Sequence, residues 1–593
     1  MSNHILGIPA LEKITVAILI LFFLISGLYY AAANSITSDE KTHITVGYIN
    51  LRFNDYRFNI EHPPFVKQIA ALPLLFLKLH FPFDIYRVSV PDDIVKIQNA
   101  FLYKIGNDLD FMLFLSRIPN ILIAALLGLF IYLYSKRLNG IFAGFISLAL
   151  FVFSPLFLGH SSLVTMDTTI SCFYFVAIYY LMRYFETEKI GLLIGVAAFT
   201  GLSFISKFSG LLLVPVLYIL IFMRGFYQVK EPEKSTLKNW IRNLIIFLPF
   251  LIFSVSYKKS FRLIMPALAV YIFSYIFYNK RMLFSKISFI GKTLLIVLVV
   301  AFTLIILDYT DYSWFPFHSA TKAYFKGFSY FEGHAQYGQD SYLLGVNSKS
   351  GGWWYYFPLA IFLKEPFITL VFFLLGILGL CIKREKILTK AVLVMPAFVY
   401  LFIAMFINKL NIGIRHILPV YPFLFVTAGY SVSIIRNSKA MKYLLSLLIV
   451  ILAVDVLTSY PAHLSYFNRL AGGFKNGYKY LGDSNIAWGQ DWKRLKEYIE
   501  KNGINKITID AAFSCDKVCD YYHIPYSIVT NEEALMPVKG YYAVETTAFP
   551  AKRIKWLNKI KPVEWVGGSL LIYKITEGDI NLLQGLRKTR SFS

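Results

Sequence analysis

Long runs of apolar residues recur along the chain from residue 13 to residue 458, with short polar gaps between them. A helix needs roughly 17–25 predominantly apolar residues to cross the hydrocarbon core of a bilayer. We predict about thirteen membrane-spanning helices, at positions 13–33, 113–135, 140–158, 163–183, 188–205, 208–224, 241–257, 261–279, 287–307, 366–383, 391–408, 417–435 and 442–458. The pattern therefore indicates an all-α polytopic membrane protein.

Three segments are too long and too polar to be simple turns between spans: 34–112, 308–365 and 459–593. The last begins with a helical pattern around 492–501, continues with an alternating, strand-like stretch at 506–512, and has a second apolar strand near 569–573. We therefore predict two domains. The first is a transmembrane domain over 1–458 that carries the other two segments as outer loops, and the second is a small extracytoplasmic α/β domain over 459–593.

The composition supports a membrane protein, because 57% of the residues are hydrophobic and only 16% are charged, against about 25% charged in soluble domains. The net charge of +24 would suggest a nucleic-acid partner only in a soluble chain. Most of the excess lies in gaps between apolar runs: Lys136, Arg137, Arg224, Lys230, Lys234, Lys238, Lys280, Arg281, Lys286, Lys383, Arg384, Lys386, Lys390, Arg436, Lys439 and Lys442.

Gaps rich in Lys and Arg face the cytoplasm by the positive-inside rule. We predict a multi-pass protein of the cell membrane, surrounded by lipid and without a nucleic-acid partner, whose N-terminus is cytoplasmic. Its C-terminal domain is then extracytoplasmic. Lys258 and Lys259 are the main exception to the rule and leave the helix count around 241–279 open. The first run is too long for an ordinary signal peptide and lacks a cleavage pattern, so we expect it to remain as a helix.

The cysteines and the absence of nucleotide-binding motifs give little further indication of function. Cys515 and Cys519 lie in the predicted outer domain, where an oxidising compartment permits a disulfide, but their short spacing leaves the bond open. Cys172 and Cys381 fall within predicted spans and read as packing residues. The sequence has no Walker loop, GxGxxG or CxxC motif, so nucleotide chemistry is not expected.

Acidic residues recur at the outer boundary of the predicted spans. Asp39 and Glu40 directly follow the first span, and Asp167 begins the fourth. A carboxylate that is partly desolvated at such a boundary can act as a general base. The structural alternatives are a charge pair in the first turn of a helix for Asp39 and Glu40, and an N-cap for Asp167.

Groups that could bind an anion occupy the same boundary. Glu61 and His62 stand at a Pro-Pro kink before Lys67, whose helix could lie in the membrane interface with its ammonium among lipid phosphates. Lys207 and Arg415 each lie next to an apolar run on the outer side, where they either bind an anion or snorkel. A lipid phosphate would suit these groups, because its head can meet cations while its tail stays in hydrocarbon.

The order of these motifs resembles a known family. The chain has an acidic pair after the first helix, followed by these motifs: His62-Pro63-Pro64 with Lys67, Leu163-Val164-Thr165-Met166-Asp167, Ser206-Lys207-Phe208-Ser209-Gly210, Tyr342-Leu343-Leu344-Gly345, Gly352-Trp353-Trp354-Tyr355-Tyr356-Phe357-Pro358 and Arg415-His416-Ile417-Leu418-Pro419. The set is similar to glycosyltransferase family 39 of the C-type (GT-C) superfamily, which includes protein O-mannosyltransferases and lipid A aminoarabinose transferases. The resemblance covers about residues 30 to 435, and 466–491 resembles the segment after the last helix in bacterial and archaeal members.

The resemblance implies transfer of a sugar from a polyprenyl-phosphate donor to an acceptor on the outer face, usually with inversion. The acceptor could be a protein Ser or Thr, a lipid or a glycan. Asp39 matches the catalytic acid of the family, so we predict it as the general base, with Glu40 and Asp167 as further catalytic candidates. Lys207 and Arg415 are predicted to stabilise the departing phosphate, and His62 and Lys67 are further candidates for binding it.

A divalent metal, zinc or manganese, is a further expectation from the resemblance. Glu61 matches a metal-holding glutamate of the aminoarabinose transferases, and His334 lies in a loop similar to the one that bears its histidine partner. The competing interpretation is that His334 hydrogen-bonds a phosphate or a loop carbonyl. His62 stands where those transferases carry lysine, and Gln339 appears near an expected arginine, so both departures favour a function other than lipid A modification.

A multi-pass secondary transporter is the alternative of a different class, since it would also combine many spans with buried ions. Transport does not require two long aromatic outer loops or a soluble outer domain. These features favour a membrane glycosyltransferase.

Overall fold

The computed structural model describes residues 10–227, 293–294, 297, 316–349, 351–434, 438–511, 515–551 and 553–588. The spans predicted at 241–257 and 261–279 lie outside these residues. The span predicted at 287–307 also lies outside them, apart from helical positions 293, 294 and 297.

The described part of the chain is mostly helical. Its α-helices before residue 228 are α1 Ala10–Ala33, α2 Ser38–Phe53, α3 Phe65–Ala71, α4 Phe83–Val88, α5 Ile94–Asn99, α6 Leu109–Asn139, α7 Ile141–Val152, α8 Pro155–Ser161, α9 Met166–Thr187, α10 Ile190–Ser206 and α11 Leu213–Tyr227. Those after residue 315 are α12 Pro316–Tyr337, α13 Tyr356–Lys364, α14 Phe367–Ile382, α15 Ile387–Phe406, α16 Tyr421–Ala428, α17 Lys439–Thr458, α18 Trp492–Lys501, α19 Asp516–Tyr521, α20 Asn531–Leu535, α21 Ala548–Ala551 and α22 Glu577–Lys588.

Tighter or wider turns extend several of these helices. The 3₁₀ segments are Leu72–Phe76, Pro91–Asp93, Phe208–Leu212, Ile414–Val420, Gly429–Ile434, Arg469–Ala471, Phe474–Lys479 and Asp483–Asn485, and a π-helical turn covers Ala100–Lys104.

Among the described residues, five helical segments are long and apolar enough to cross a membrane: Ala10–Ala33, Leu109–Asn139, Ile387–Phe406, Ile414–Ile434 and Lys439–Thr458. Two bent pairs raise this number to seven if each is one span; α7 with α8 bends by 58° and α13 with α14 by 119°. Helices also form at the spans predicted for 163–183, 188–205 and 208–224. The mostly helical, multi-pass architecture is confirmed, whereas the count of thirteen is not.

Each bend has a local cause in the sequence. Between α7 and α8, the hydroxyl of Ser154 accepts a hydrogen bond from the amide of Phe157 at 3.4 Å, and Pro155 starts the second helix. Between α13 and α14, Pro366 follows the extended residue Glu365. Proline lacks the N–H that a continuing helix would use, so the chain changes direction at both points.

The segment after residue 459 contains a five-stranded sheet. Its strands are β3 Ile507–Asp510, β4 Tyr526–Ile528, β5 Gly540–Glu545, β6 Glu564–Val566 and β7 Leu570–Ile575, in the spatial order β4-β3-β5-β7-β6. β3 pairs in parallel with β4 and β5, and β7 pairs antiparallel with β5 and β6. The strands predicted near 506–512 and 569–573 therefore form as β3 and β7. A separate hairpin joins β1 Ser341–Leu343 to β2 Val346–Ser348.

The sheet shares an apolar core with the first outer loop. Ile44 and Phe101 of that loop lie in the same buried cluster as Trp492, Leu495 and Ile572. Burial of apolar surface on this scale stabilises the contact by roughly 25 cal/mol per Å². The C-terminal segment is thereby held against the loop that carries Asp39.

All four cysteines are free in the structure. Cys515 and Cys519 are both buried at the start of α19, and Cys172 is buried inside α9. Cys172 is in the packed environment that the sequence predicted for it, whereas Cys381, predicted to pack in the same way, is exposed. No disulfide joins Cys515 and Cys519.

Candidate active site

Asp39 lies in the first turn of α2, and the C-terminal segment holds this turn in place. The amides of Ser35 and Ser38 donate to the carbonyls of Gln490 and Trp488, each at 3.0 Å. Thr37 forms the N-cap, and its side chain takes part in a capping box with the residue three positions on. Two segments about 450 positions apart in sequence therefore fix the position of Asp39 together.

Asp39 and three other charged side chains form a continuous array. Nη1 of Arg415 lies 3.3 Å from Oδ2 of Asp39 and 3.5 Å from Oδ2 of Asp167. Nζ of Lys207 donates to Oδ1 of Asp167 at 2.6 Å. We call Asp39, Arg415, Asp167 and Lys207 the charge cluster. Its charges alternate, so each carboxylate neighbours at least one cation.

The charge cluster is assembled from four separate elements. Asp167 lies in the first turn of α9, Lys207 follows α10 in extended backbone, and Arg415 belongs to the 3₁₀ segment Ile414–Val420. The side chain of Asp39 is 34% exposed, whereas those of Asp167 and Lys207 are 2% and 6% exposed. The structure thus brings four sequence-predicted residues together and leaves Asp39 as the accessible carboxylate.

Arg415 is positioned by residues whose roles the sequence did not predict. Its Nε donates to the hydroxyl of Ser484 at 3.2 Å, and its guanidinium carbon lies 4.1 Å from the centre of the Trp488 ring. The amide of Ile414 donates to Oδ1 of Asn485 at 3.0 Å. The Asp483-Ser484-Asn485 motif followed by Trp488 is visible in the sequence, but nothing in the motif indicates a contact with Arg415. The contact arises only when the chain folds.

Asp483 lies at the edge of the same group of residues. Its backbone φ of 54° is in the left-handed region, which Asp tolerates better than most residues. Burial raises the pKa of Asp483 above its ordinary value, even though the Ser484 amide and the charge of Arg415 oppose the rise. The carboxyl therefore keeps a proton to higher pH than an exposed aspartate does.

Glu40 lies in a buried ion pair with Arg117. Its Oε1 accepts from Nε of Arg117 and from the amide of Val164, each at 2.8 Å, and its Oε2 accepts from Nη2 of Arg117 at 2.6 Å. Burial opposes ionisation, but the charge and hydrogen bonds of Arg117 lower the pKa of Glu40 below its ordinary value. Because both side chains are fully buried, this placement favours a structural role for Glu40, and its catalytic role stays an untested prediction.

Lys67 is also buried, and its ammonium contacts backbone carbonyls. Its Nζ donates to the carbonyls of Asn59 at 2.7 Å and of His62 at 2.9 Å, and the side chain is buried. The ammonium thus ties the Pro-Pro kink to α3. The structure shows the ammonium bound to backbone carbonyls, and the prediction that Lys67 binds the donor phosphate stays untested.

His62 lies close to a second histidine that the sequence did not single out. Its ring centre is 6.4 Å from that of His43, and Nδ1 of His43 hydrogen-bonds the carbonyl of Val164 at 2.8 Å. Burial lowers the pKa of both imidazoles, and that of His62 falls well below its ordinary value. A neutral His62 could donate a hydrogen bond to phosphate but would not supply charge.

The two residues predicted to hold a metal lie near each other. Nδ1 of His334 is 3.9 Å from Oε1 of Glu61, and both side chains are 41% exposed. Within the described ranges, no group of three or more His, Cys, Asp and Glu side chains could hold a metal. Two protein ligands suit a metal only if water or phosphate completes its coordination.

His62 lines one cavity, and Phe331 lines a second one. The outer cavity, of about 520 Å³, is lined by Asn50, Asn54, Asp55, Tyr56, Arg57, Phe58, Asn59, Ile60, His62, Pro64, Lys67, Tyr86, Pro91, Ala323 and Lys326. The inner pocket is lined by Lys207, Ser209, Leu212, Phe331, Tyr400, Ile403, Ala404, Asn408 and His416. The ring centres of His62 and Phe331 are 6.3 Å apart, so the cavities approach each other there.

Residues 98–257 match the family model described as dolichyl-phosphate-mannose-protein mannosyltransferase. The matched range includes Asp167 and Lys207 but not Asp39 or Arg415. No curated protein matches the sequence. The family match covers 160 of the 593 residues, so it shows a similarity to this family of mannosyltransferases over that range.

A structural comparison matches the chain to three solved structures at low sequence identity, each with a TM-score below 0.5. ArnT from Cupriavidus metallidurans bound to undecaprenyl phosphate is 12% identical, with a TM-score of 0.45 over 94% of this chain and 97% of that one. The oligosaccharyltransferase of Archaeoglobus fulgidus in the apo form is 13% identical, with a TM-score of 0.42 over 87% and 60%. The Pmt1-Pmt2 complex of S. cerevisiae bound to the sugar donor is 16% identical, with a TM-score of 0.33 over 51% and 34%.

Proposed function

We propose that the protein transfers a sugar from a polyprenyl-phosphate donor to an acceptor on the outer face of the membrane. The observation that carries this proposal is the charge cluster, in which the accessible carboxylate of Asp39 contacts Arg415 and the buried Asp167 links Arg415 to Lys207. The description of the matched family names a dolichyl-phosphate sugar as donor and a protein as acceptor, which supports a lipid-phosphate donor here.

The donor phosphate is proposed to bind between Lys207 and Arg415. An ammonium has three N–H donors, and Lys207 directs one of them to Asp167, which leaves capacity for a phosphate oxygen. His416 lines the same pocket as Lys207, and its buried Nε2 has no hydrogen-bond partner among the described residues. Lys207, Arg415 and His416 can thus each donate hydrogen bonds to a phosphate.

The lining of the inner pocket also suits a lipid-linked phosphate. Leu212, Ile403 and Ala404 give it an apolar side, and Lys207 and His416 give it a polar end. An amphiphilic donor can place its phosphate at the polar end while its isoprenoid chain follows the apolar side chains. Since the inner pocket has a volume of only about 40 Å³, it is proposed to receive the phosphate end of the donor and not the whole isoprenoid chain.

The proposed chemical step is a single displacement. The acceptor oxygen attacks the anomeric carbon, its proton passes to the carboxylate of Asp39, and the bond between the anomeric carbon and the phosphate oxygen breaks. The bonding electron pair leaves with the lipid phosphate, where Lys207 and Arg415 stabilise the charge. One displacement of this kind inverts the anomeric configuration.

Asp167 is proposed to act through the two cations. Its carboxylate contacts both Lys207 and Arg415 and is nearly fully buried, so an acceptor on the outer side would meet Asp39 first. Asp167 is therefore a positioning residue in this mechanism, and Asp39 is the general base. The proposed topology places the N-terminus in the cytoplasm and the segment after residue 459 outside, on the basis of the positive-inside rule.

A divalent metal between Glu61 and His334 is proposed as an accessory to this site. A carboxylate and an imidazole are suitable ligands for zinc or manganese. The metal would supply Lewis-acid charge near the donor phosphate. The proposed displacement requires only the chain's own residues.

The test is transfer of a radiolabelled sugar from polyprenyl phosphate by the purified protein in detergent, with extracted envelope material as acceptor. We expect product with the wild type, and about 10²–10⁴-fold less with Asp39→Asn, because the amide cannot accept the proton. Asp84→Asn, at an exposed acid of the same outer loop, is the matched control and should be unaffected. Wild-type rates in Asp39→Asn would overturn the mechanism, and solute uptake by proteoliposomes without sugar transfer would favour the transporter.

A further inference from the structure

The outer cavity is large enough to hold a ligand and is distinct from the charge cluster. Its volume of about 520 Å³ lies within the range of roughly 300–1,000 Å³ usual for ligand sites. None of the four residues of the charge cluster lines it. The cavity therefore remains unexplained by binding of the donor.

One wall of the outer cavity is a preorganised polar group of three side chains. The carboxylate of Asp55 accepts from Nε of Arg57 at 3.0 Å, from Nη2 at 2.9 Å and from the hydroxyl of Tyr86 at 2.9 Å. Burial would raise the pKa of Asp55, but the hydrogen bonds from Arg57 and Tyr86 lower it below its ordinary value. The wall presents an ionised carboxylate and a guanidinium side by side.

Side-chain amides and a second cation complete the polar lining. Asn54 and Asn59 both adopt left-handed backbone conformations, with φ of 52° and 47°, at the sharp turns that shape the cavity. Lys326 reaches it from α12, and the side chain of Arg57 is 54% exposed. Amides, carboxylate and guanidinium together offer both donors and acceptors, which is the chemistry that recognises neighbouring hydroxyl groups.

Two neighbouring histidines connect the lining of the outer cavity to the helix that carries the proposed general base. Nδ1 of His62 is buried and has no hydrogen-bond partner in the described part of the chain. The ring of His62 lies 6.4 Å from that of His43, which is one helical turn beyond Asp39 on α2. A ligand in the outer cavity would therefore contact His62, whose ring neighbours His43 on the helix that carries Asp39.

We infer that the outer cavity binds the acceptor and that the acceptor group is carbohydrate; this inference rests on the proposed glycosyl transfer. A lipid tail would remove water from Asp55 and Arg57 without replacing their hydrogen bonds, which is costly. A peptide bound by strand addition would need a sheet edge, and no strand in the described ranges lines the cavity. A polyhydroxylated ligand satisfies the lining without either problem.

The first test measures binding without turnover. Purified full-length protein is titrated by calorimetry with water-soluble oligosaccharides released from the cell envelope, and in parallel with a Ser/Thr-rich peptide pool. We expect the oligosaccharides to bind the wild type and to bind Arg57→Ala about tenfold or more weakly, because a charge-assisted hydrogen bond is lost. Arg87→Ala changes another exposed arginine of the same loop that does not line the cavity and should bind like the wild type.

The second test separates the acceptor from the donor. With both substrates varied in the transfer assay, Asn54→Ala and Arg57→Ala should raise the acceptor KM about tenfold and change the donor KM less than twofold. Unchanged acceptor KM and unchanged oligosaccharide affinity in both variants would overturn the site, and binding of the peptide pool alone would overturn the carbohydrate assignment. Absence of sugar transfer by the wild type would instead count against the proposed function, and the binding test would still decide the inference.

Discussion

Lys207 and Asp167 form a buried ion pair, with 2.6 Å between Nζ and Oδ1, although they lie 40 positions apart in the chain. Burying two charges costs several kcal/mol of desolvation for each ion, which the pairing offsets only when the geometry is good. A pair of apolar side chains would stabilise the same space at least as well. The pair is therefore better explained by the charge that it keeps available beside the inner pocket than by stability.

Arg415 connects the buried ion pair to the more exposed Asp39. Because Nη1 contacts both Asp39 and Asp167, an incoming phosphate would compete with two carboxylates for one guanidinium. The carboxylates can thus hold Lys207 and Arg415 in place before the donor arrives. When the donor binds, the two cations can exchange contacts with these carboxylates for contacts with the phosphate. Preorganised charge of this kind stabilises a leaving group without reorganisation during the reaction.

The first prediction concerns the donor. Arg415→Lys and Lys207→Met should each raise the donor KM about tenfold or more, because each removes charge-assisted hydrogen bonds worth roughly 1.5–3 kcal/mol, while the acceptor KM changes little. Initial rates with either substrate varied provide the measurement. The control is Lys189→Met, at an exposed lysine before α10. If both variants lose folded protein without a change in donor KM, the two cations are structural anchors.

The second prediction concerns how Arg415 is positioned. Ser484→Ala removes the hydroxyl that accepts from Nε of Arg415 at 3.2 Å, so we expect a several-fold rise in donor KM, on the order of the 0.5–3 kcal/mol of such a bond. Ser484→Thr keeps the hydroxyl and should restore donor use. An equal loss of activity in both variants, with unchanged donor KM, would show that the site tolerates no change of packing and would contradict a role through Arg415.

Part of this site could be predicted from the sequence, because charged residues at the ends of apolar runs are conspicuous. Asp39, Asp167, Lys207 and Arg415 all stood out in this way, and the structure brings them together. The contacts to Ser484 and Trp488 could not be predicted, since they depend on how the segment after residue 459 packs on α2. Hydrophobic periodicity predicts where a helix or strand lies, but it does not predict which residues contact the polar side chains at its ends.

The fold shows the same limit. The helical runs and the strands β3 and β7 follow from hydrophobic periods of 3.6 and two residues. The sequence predicted a polar outer loop followed by one straight span where the structure has two helices, α13 and α14, with a bend of 119° between them. Glu40 shows that two residues adjacent in sequence need not belong to the same site. Its position beside Asp39 suggested shared chemistry, yet successive helical residues point in different directions, so Glu40 faces Arg117 while Asp39 faces Arg415.

The third prediction concerns the buried pair of Glu40 and Arg117. Glu40→Gln should lower the free energy of unfolding by about 3–5 kcal/mol, because it leaves a buried guanidinium unpaired, and should reduce the yield of active protein. Thermal unfolding in detergent, followed by tryptophan fluorescence, is the measurement. Glu500→Gln, in an exposed pair with Lys496, should change stability by less than about 1 kcal/mol. Equal midpoints for the two variants would contradict the structural role of Glu40.

The same pair gives a pH dependence with a definite sign. The pKa of Glu40 is lowered in the folded protein, so its contribution to stability is present above the unfolded pKa of about 4.3 and is lost as the pH falls through the folded pKa. Wild-type protein should therefore lose stability on acidification more steeply than Glu40→Gln, which lacks this titration. Parallel unfolding midpoints from pH 7 to pH 3 in both proteins would contradict the assignment.

The fourth prediction concerns the metal. Oε1 of Glu61 and Nδ1 of His334 are 3.9 Å apart on partly exposed side chains, so a small closure would let both bind one ion at the roughly 2.0–2.2 Å usual for zinc. With two protein ligands, we expect partial occupancy by zinc or manganese in the free protein, higher occupancy with added polyprenyl phosphate, and loss of both in Glu61→Ala and His334→Ala. Elemental analysis by mass spectrometry provides the measurement.

The control for the metal is Glu332→Ala, because this carboxylate accepts from Nε2 of Gln336 at 2.9 Å instead of facing Glu61. It changes an acid of the same helix as His334 and should leave metal content unchanged. Metal-free wild type that transfers sugar at full rate in the presence of a chelator would retire the site. In that case the 3.9 Å approach of His334 to Glu61 would be a simple contact between α12 and the Pro-Pro kink, and the charge cluster would stabilise the phosphate without a metal.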